Sequence, residues 1–167
     1  GVDQAEEQEH LRLQLRHELR LAGRALEEAR AHDADAHARA ERAQADWLKA
    51  LGRKGDWGRF QAAYGNGGYE DVEIQCYAHQ AARQQSGDAA LAAAKPFWFT
   101  GQATPDACEP LFAALIASGS ITIDDRWARY RLALEAGSVR LAQQIAGDLP
   151  TADRIPARSF QHVDEKP

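Results

Sequence analysis

KPFWFTGQATPDACEPLF (Lys95–Phe112) and VEIQCYAHQA (Val72–Ala81) each place a cysteine within a helical pattern of apolar and aromatic residues. Cys76 and Cys108 are the two cysteines of the chain. Around these segments, short helical stretches end at a glycine and restart at Asp or Ser, whose side chains accept hydrogen bonds from the first backbone amides of a helix. Helices this short are not stable alone in water, so they must pair, as in a solenoid.

The rest of the sequence also predicts helices. Val and Ile are scarce, and the short β-branched run at 121–123 leads into an Asp pair typical of a helix start. Over residues 3–31, Leu and Ala recur every three or four positions, which predicts one long helix. Beyond His32 and Asp33, a second Ala- and Arg-rich helix is expected to end at Lys54. We therefore predict an all-α solenoid of short antiparallel helix pairs, preceded by a long helical hairpin.

These patterns divide the chain into three parts. Residues 1–54 carry the long helices, residues 55–150 the short paired helices, and residues 151–167 a proline-containing segment without apolar periodicity, expected to be an irregular tail. Within the second part, Pro96 is expected to kink a helix or restart it at Lys95, because proline removes a backbone hydrogen bond.

Composition excludes several classes of function. The formal net charge is −5, from 20 Lys and Arg against 25 Asp and Glu, which argues against a nucleic-acid partner because such proteins neutralise phosphates with basic patches. No apolar run approaches the roughly 18–20 residues of a membrane span. The first residues carry no charged segment followed by an apolar core, so we expect a soluble protein, either cytosolic or secreted and processed.

Neither metal binding nor nucleotide binding is expected. His32 and His37 are five residues apart and do not share a helical face, and no Cys and His cluster has zinc spacing. The GNGG loop (Gly65–Gly68) lacks the Lys-Ser/Thr of a phosphate-binding loop and is explained as an interhelical turn. We therefore predict no metal site and no cofactor. Taken alone, Cys76 and Cys108 leave two alternatives, buried free thiols or a bridge closing a loop of about 30 residues, worth about 3–4 kcal/mol.

A series of sequence blocks carries a family resemblance over about Trp47 to Pro150. The blocks are Trp47-Leu48 with GDWGRF (Gly55–Phe60), IQCYAHQA (Ile74–Ala81), FWFTGQATPDACEPLF (Phe97–Phe112) and DRWARYRLALEAGSVRLAQQIAGDLP (Asp125–Pro150). In this order they resemble the superhelical, non-catalytic domain of the soluble lytic transglycosylases, periplasmic enzymes that cut bacterial peptidoglycan. The resemblance implies an arc of α-helices in the periplasm and a disulfide between Cys76 and Cys108.

The same resemblance bears on function. In the family, a lysozyme-like domain uses a glutamate followed by a serine as general acid and base, in an apolar cleft that raises its pKa. No Glu of this chain precedes a Ser, and Glu135 precedes Ala136 and Gly137 at a helix end. We therefore predict no catalytic residue here. The implied partners are glycan strands of peptidoglycan, held weakly by the concave face, and the catalytic domain of the parent protein.

A second interpretation remains open. A helical-repeat adaptor similar to tetratricopeptide arrays would hold a peptide or protein in its concave face. Under either interpretation most aromatic residues are expected to form the core, because they fall at helical spacings: Trp57, Phe60, Tyr64, Tyr77, Phe97, Trp98, Phe99, Phe112, Trp127 and Tyr130.

Overall fold

The structure is a computed structural model that describes residues 2–150. The tail predicted for residues 151–167 lies outside the described residues. Every element in the described range is a helix, so the all-α prediction is confirmed. In chain order the elements are α1 (Val2–Lys54), α2 (Trp57–Tyr64), α3 (Val72–Ser86), a long 3₁₀ helix (Gly87–Trp98), a short 3₁₀ helix (Asp106–Cys108), α4 (Glu109–Ala117), α5 (Ile123–Glu135) and α6 (Val139–Gly147).

The predicted N-terminal hairpin is wrong, because α1 continues without a break through His32 and Asp33. No glycine or proline occurs between Gly23 and Gly52, and this stretch is rich in Ala, Arg and Glu. A histidine or aspartate inside a helix costs only a few tenths of a kcal/mol relative to the best helix formers, about 0.7 kcal/mol at most. That cost is too small to stop a helix that has favourable residues on both sides.

Glycines end the helices where the sequence predicts. After α1, Gly55 has a φ of 68° and donates to the carbonyl of Gly52, while Asp56 donates to that of Leu51, both at about 3 Å. This pair of hydrogen bonds is a Schellman motif, which requires the left-handed conformation that glycine adopts without strain. The same motif ends α5 at Gly137.

Side chains also begin several helices as predicted. Asp56 accepts a hydrogen bond from the amide of Arg59 at the start of α2. At the start of α5, Thr122 and Asp125 form a reciprocal capping box. Ser138, in contrast, precedes α6 without a side-chain capping bond, so its predicted role as a cap is wrong.

Pro96 neither kinks nor restarts an α-helix, contrary to expectation. It lies inside the long 3₁₀ helix, which runs from Gly87 to Trp98. A 3₁₀ helix forms its hydrogen bonds over three residues instead of four, and such runs are normally short. Leu91, Ala94 and Trp98 are buried along it, so packing of one face supports this long run.

The described residues divide into two units, with the division between Asp46 and Trp47. The N-terminal unit, residues 2–46, is a single exposed stretch of α1. Its large apolar side chains are between 49% and 65% exposed: Leu11, Leu13, Leu15, Leu19, Leu21 and Leu26. None of the described helices contains an apolar run long enough to cross a bilayer.

The second unit, from Trp47 onward, holds the buried core and is called the repeat unit below. In this unit α3 packs on α2, on both 3₁₀ helices and on α4, α4 packs on the long 3₁₀ helix, and α5 packs on α6. Packing of consecutive helices, such as α2 on α3 and α5 on α6, is typical of helical repeats. The interface of α5 and α6 has its own apolar cluster, which includes Tyr130, Leu141 and Ile145.

Candidate functional site

A cleft of about 1020 Å³ opens in the repeat unit between α4, α5 and α6. Trp98, at the end of the long 3₁₀ helix, also lines it, as does the loop that contains Thr104. The position of Trp98 is fixed by α5, because its indole Nε1 donates a hydrogen bond to the carbonyl oxygen of Asp125 over 2.9 Å. Lys95 reinforces this contact by donating from Nζ to Oδ2 of Asp125 over 3.0 Å.

Arg129 of α5 lies at the inner wall of this cleft and is only 4% exposed. Its guanidinium carbon is 4.5 Å from the ring centre of Trp98 and 4.8 Å from that of Phe112. The two rings meet edge to face, with their centres 5.3 Å apart. A cation over aromatic faces is attracted by their negative π-surfaces, and this attraction grows when water is excluded.

The hydrogen-bonding capacity of Arg129 is incompletely used within residues 2–150. Its Nη2 donates to Oγ1 of Thr104 over 3.3 Å, whereas its buried Nε has no hydrogen-bond partner there. Burial lowers the pKa of Arg129, and the negative charge of Glu109 partly opposes this. A guanidinium has five N–H donors and remains protonated in proteins. Arg129 is therefore a buried positive charge with donors to spare.

A second arginine lines the cleft one turn earlier on the same helix. Arg126 is half-buried, and its Nε is also buried without a partner among the described residues. Residues three apart on a helix share a face, so Arg126 and Arg129 line one wall. The carboxylates that line the cleft, those of Asp106, Glu109 and Asp148, are all exposed.

Sequence reasoning did not single out these arginines. A signal was nevertheless present, because Arg129 lies four residues before Ala133 and next to Tyr130, both of which are buried. Helical periodicity thus places Arg129 on the apolar face of α5. An arginine at such a position must be stacked or hydrogen-bonded, since an isolated buried charge is costly.

The cysteines that the sequence singled out are joined in a disulfide. Cys76 of α3 and Cys108 of the short 3₁₀ helix are both fully buried, and their Cα atoms are 5.1 Å apart. The bond ties α3 to the beginning of α4. Gln80 adds a second tie by donating from Nε2 to the carbonyl oxygen of Ala107 over 2.6 Å.

Among residues 2–150, neither the histidine that follows Cys76 nor Glu135 has the surroundings of a catalytic group. His79 lies one turn after Cys76, half-buried, with its ring edge-to-face on Phe97 at 5.4 Å. Glu135 is exposed at the end of α5. Between residues 2 and 150, no three His, Cys, Asp or Glu side chains come close enough to hold a metal ion.

The aromatic residues are divided between the core and its surface. Five of the ten predicted core aromatics are buried: Phe60, Tyr77, Trp98, Phe112 and Tyr130. Phe99 is 41% exposed, which overturns its assignment to the core. Its backbone lies just past the end of the long 3₁₀ helix, where the chain leaves the packed face.

Comparison of sequences finds relatives of known activity, although no family model matches the chain. The soluble lytic murein transglycosylase of Salmonella typhimurium is 34% identical over 110 residues, and that of Escherichia coli K12 is 32% identical over 108 residues. Each match covers 64% of this chain but only 17% of the relative.

Comparison of structures agrees with the sequences. The crystal structure of the 70-kDa soluble lytic transglycosylase of Escherichia coli matches with a TM-score of 0.59 and 28% identity, over 74% of this chain and 20% of that protein. A complex of the 70-kDa enzyme with bulgecin A gives the same figures. The chain is therefore similar to a part of the soluble lytic murein transglycosylases, as its sequence blocks indicate.

Proposed function

We propose that this chain is a non-catalytic helical region of a periplasmic peptidoglycan lytic transglycosylase, which positions glycan strands for a catalytic domain elsewhere in the parent protein. The observation that carries the proposal is the sequence match to about one sixth of two such enzymes, 17% of each, together with the structural match to 20% of the 70-kDa enzyme. The periplasmic location is inferred from the same relatives and agrees with the Cys76–Cys108 disulfide, since disulfides persist in oxidising compartments.

The chemistry of the cleft supports binding over cleavage. A glycosidase acid must keep its proton near neutral pH, which requires a carboxyl group held in apolar surroundings. The cleft carboxylates of Asp106, Glu109 and Asp148 are instead exposed to water. The guanidinium groups that line the cleft are hydrogen-bond donors, and a guanidinium does not serve as a general acid. These groups can hold a ligand that accepts hydrogen bonds, and the cleft residues named here include no carboxyl group in apolar surroundings that could protonate a glycosidic bond.

A sedimentation assay with purified peptidoglycan sacculi tests the proposal. We expect the protein to co-sediment with sacculi and to release no muropeptides. Chitin, a related glycan without peptide stems, is the matched control polymer. Release of anhydro-muropeptides by the pure chain would contradict the proposed lack of catalysis, and failure to bind sacculi would contradict the proposed substrate.

A second candidate function is that of a helical-repeat adaptor for another protein. The exposed leucines of the N-terminal unit favour it, because rows of large apolar side chains on a surface commonly mark interaction sites. The two candidates are distinguished by the same sedimentation assay. An adaptor would leave sacculi unbound, and it would lose its partner when Leu15 and Leu19 are replaced by Gln.

A further inference from the structure

Arg129 presents an unusual combination of charge and burial. Its side chain is only 4% exposed, and its buried Nε has no partner among the described residues. The same side chain lines an open cleft. Leaving a buried charged donor unpaired costs stability. A buried charge with an unpaired donor at the wall of a cleft is therefore a candidate binding site for a ligand of opposite charge.

The composition of the cleft indicates the charge of that ligand. Guanidinium groups bind carboxylates and phosphates with paired, charge-assisted hydrogen bonds. Exposed Arg140 is a third cation of the cleft, and the carboxylates of Asp106, Glu109 and Asp148 balance the three positive charges, which disfavours a strongly anionic ligand. A single carboxylate therefore fits better than a doubly charged phosphate.

We propose that the cleft of Arg126 and Arg129 binds a free carboxylate of the peptide stems that peptidoglycan glycan strands carry. The identification of the source rests on the function proposed above, whereas the carboxylate site itself rests on the two arginines. Thr104 contributes the hydroxyl that holds Nη2 of Arg129 over 3.3 Å. The rings of Trp98 and Phe112 pack against the guanidinium group of Arg129 and hold it in place.

Binding of small peptide probes to the full chain tests the site. We expect acetyl-D-alanyl-D-alanine to shift the NMR amide signals of Thr104, Arg126 and Arg129 in a saturable way. Its C-terminal carboxamide should bind at least about tenfold more weakly, because it lacks the charge that the guanidinium recognises. Equal binding of acid and amide would overturn the proposal.

Matched arginine variants locate the effect. Arg126→Gln should weaken binding of the acid by about tenfold, and Arg129→Lys, which keeps the charge but loses the planar fork, should do the same. Arg131→Gln is the control, since Arg131 is exposed on α5 and does not line the cleft. If Arg129→Lys does not fold, Arg126→Gln, at a less buried position, still decides. An unchanged affinity in Arg126→Gln would overturn the assignment.

Two comparisons separate this inference from the proposed function. Tighter binding of acetyl-L-alanyl-L-alanine than of the D-peptide would overturn the peptide stem as the source and indicate a protein C-terminus. Sacculus binding without any binding of the D-peptide would overturn the carboxylate site and leave the proposed function standing. If the chain binds the peptide but not sacculi, the carboxylate site stands, and the peptide stem is overturned as the source of the carboxylate.

Discussion

The ring of Tyr77 lies directly against the backbone of α1 at Gly52. A Cβ atom at position 52 would overlap the ring carbons of Tyr77, which is only 7% exposed. The same ring contacts those of Trp57 and Phe60, with centres 6.4 and 6.3 Å away. Gly52 is therefore required for the close approach of α1 to α3.

Gly52→Ala is expected to destabilise the protein by about 1–3 kcal/mol, because a buried ring enclosed by other aromatic side chains has little room to move. The measurement is denaturant unfolding followed by circular dichroism, with the midpoint shifted and the slope unchanged. Replacing Tyr77 by Leu in the Gly52→Ala background should recover part of this loss by removing the clash.

Gly23 provides the matched control within the same helix. No atom outside its own helix lies within 4 Å of a Cβ placed there. Because alanine is the better helix former, Gly23→Ala should leave stability unchanged or raise local helix stability by about 0.5–1 kcal/mol. A similar loss at both glycines would show that helix propensity, and not the Tyr77 contact, determines the effect.

Leucines of α1 are expected to differ sharply in their contribution to stability. Leu48 is fully buried, whereas Leu19 is 65% exposed. Leu48→Ala should lower the free energy of unfolding by about 2–5 kcal/mol through lost burial and the cavity left behind. Leu19→Ala, by the same denaturant measurement, should change it by less than about 0.5 kcal/mol. A large loss at Leu19 would show that its side chain is covered in the isolated protein, which would contradict its availability to a partner under the adaptor hypothesis.

Local signals explain which parts of the fold could be predicted. The end of α1 at Gly55 and the capping box of Thr122 and Asp125 depend on residues only a few positions apart in sequence. Both can therefore be predicted from the residue types alone. The continuity of α1 through Asp33 could not be predicted, because residues such as His and Asp differ from the best helix formers by at most about 0.7 kcal/mol. So small a difference does not decide between a turn and a continued helix.

The cleft could not be predicted in the same way. Arg129 becomes buried because Trp98 and Phe112, from two other elements, pack over it. Its helical register indicated an inward position, but the sequence does not specify which rings meet it or that Nε remains without a partner. The disulfide could be predicted for a different reason. The family resemblance implies it, whereas the spacing of Cys76 and Cys108 alone does not.

Reduction of the Cys76–Cys108 disulfide should destabilise the repeat unit. The bond closes a loop with a sequence separation of 32 residues, for which the chain-entropy model predicts a contribution of about 3–4 kcal/mol. Denaturant unfolding with and without reductant measures this difference, and intact mass under non-reducing conditions should show the loss of two hydrogens. A Cys76→Ala/Cys108→Ala variant is the control, because reductant should not alter its unfolding. Free thiols in protein isolated from an oxidising compartment would contradict the prediction.

Acid should destabilise the protein in two separate pH ranges. Burial lowers the pKa of His79, so the unfolded chain binds a proton that the folded chain resists. Its contribution to stability is fully present above the unfolded pKa of about 6.5 and is lost as the pH falls through the folded value. Hydrogen bonds from Thr122 and Lys95 lower the pKa of Asp125, whose contribution is present above about pH 3.9 and lost at lower pH.

Because the two pH ranges are separate, the His79→Gln variant tests the first range and retains the second as an internal control. Glutamine does not titrate, so the variant should lose the decline in unfolding free energy just below about pH 6.5. It should retain the decline below about pH 3.9, to which Asp125 contributes. Denaturant midpoints measured across this pH range give both slopes from one protein. If the slope below pH 6.5 persists in the variant, the burial of His79 against Phe97 is not its cause, and another group must take up the proton on unfolding.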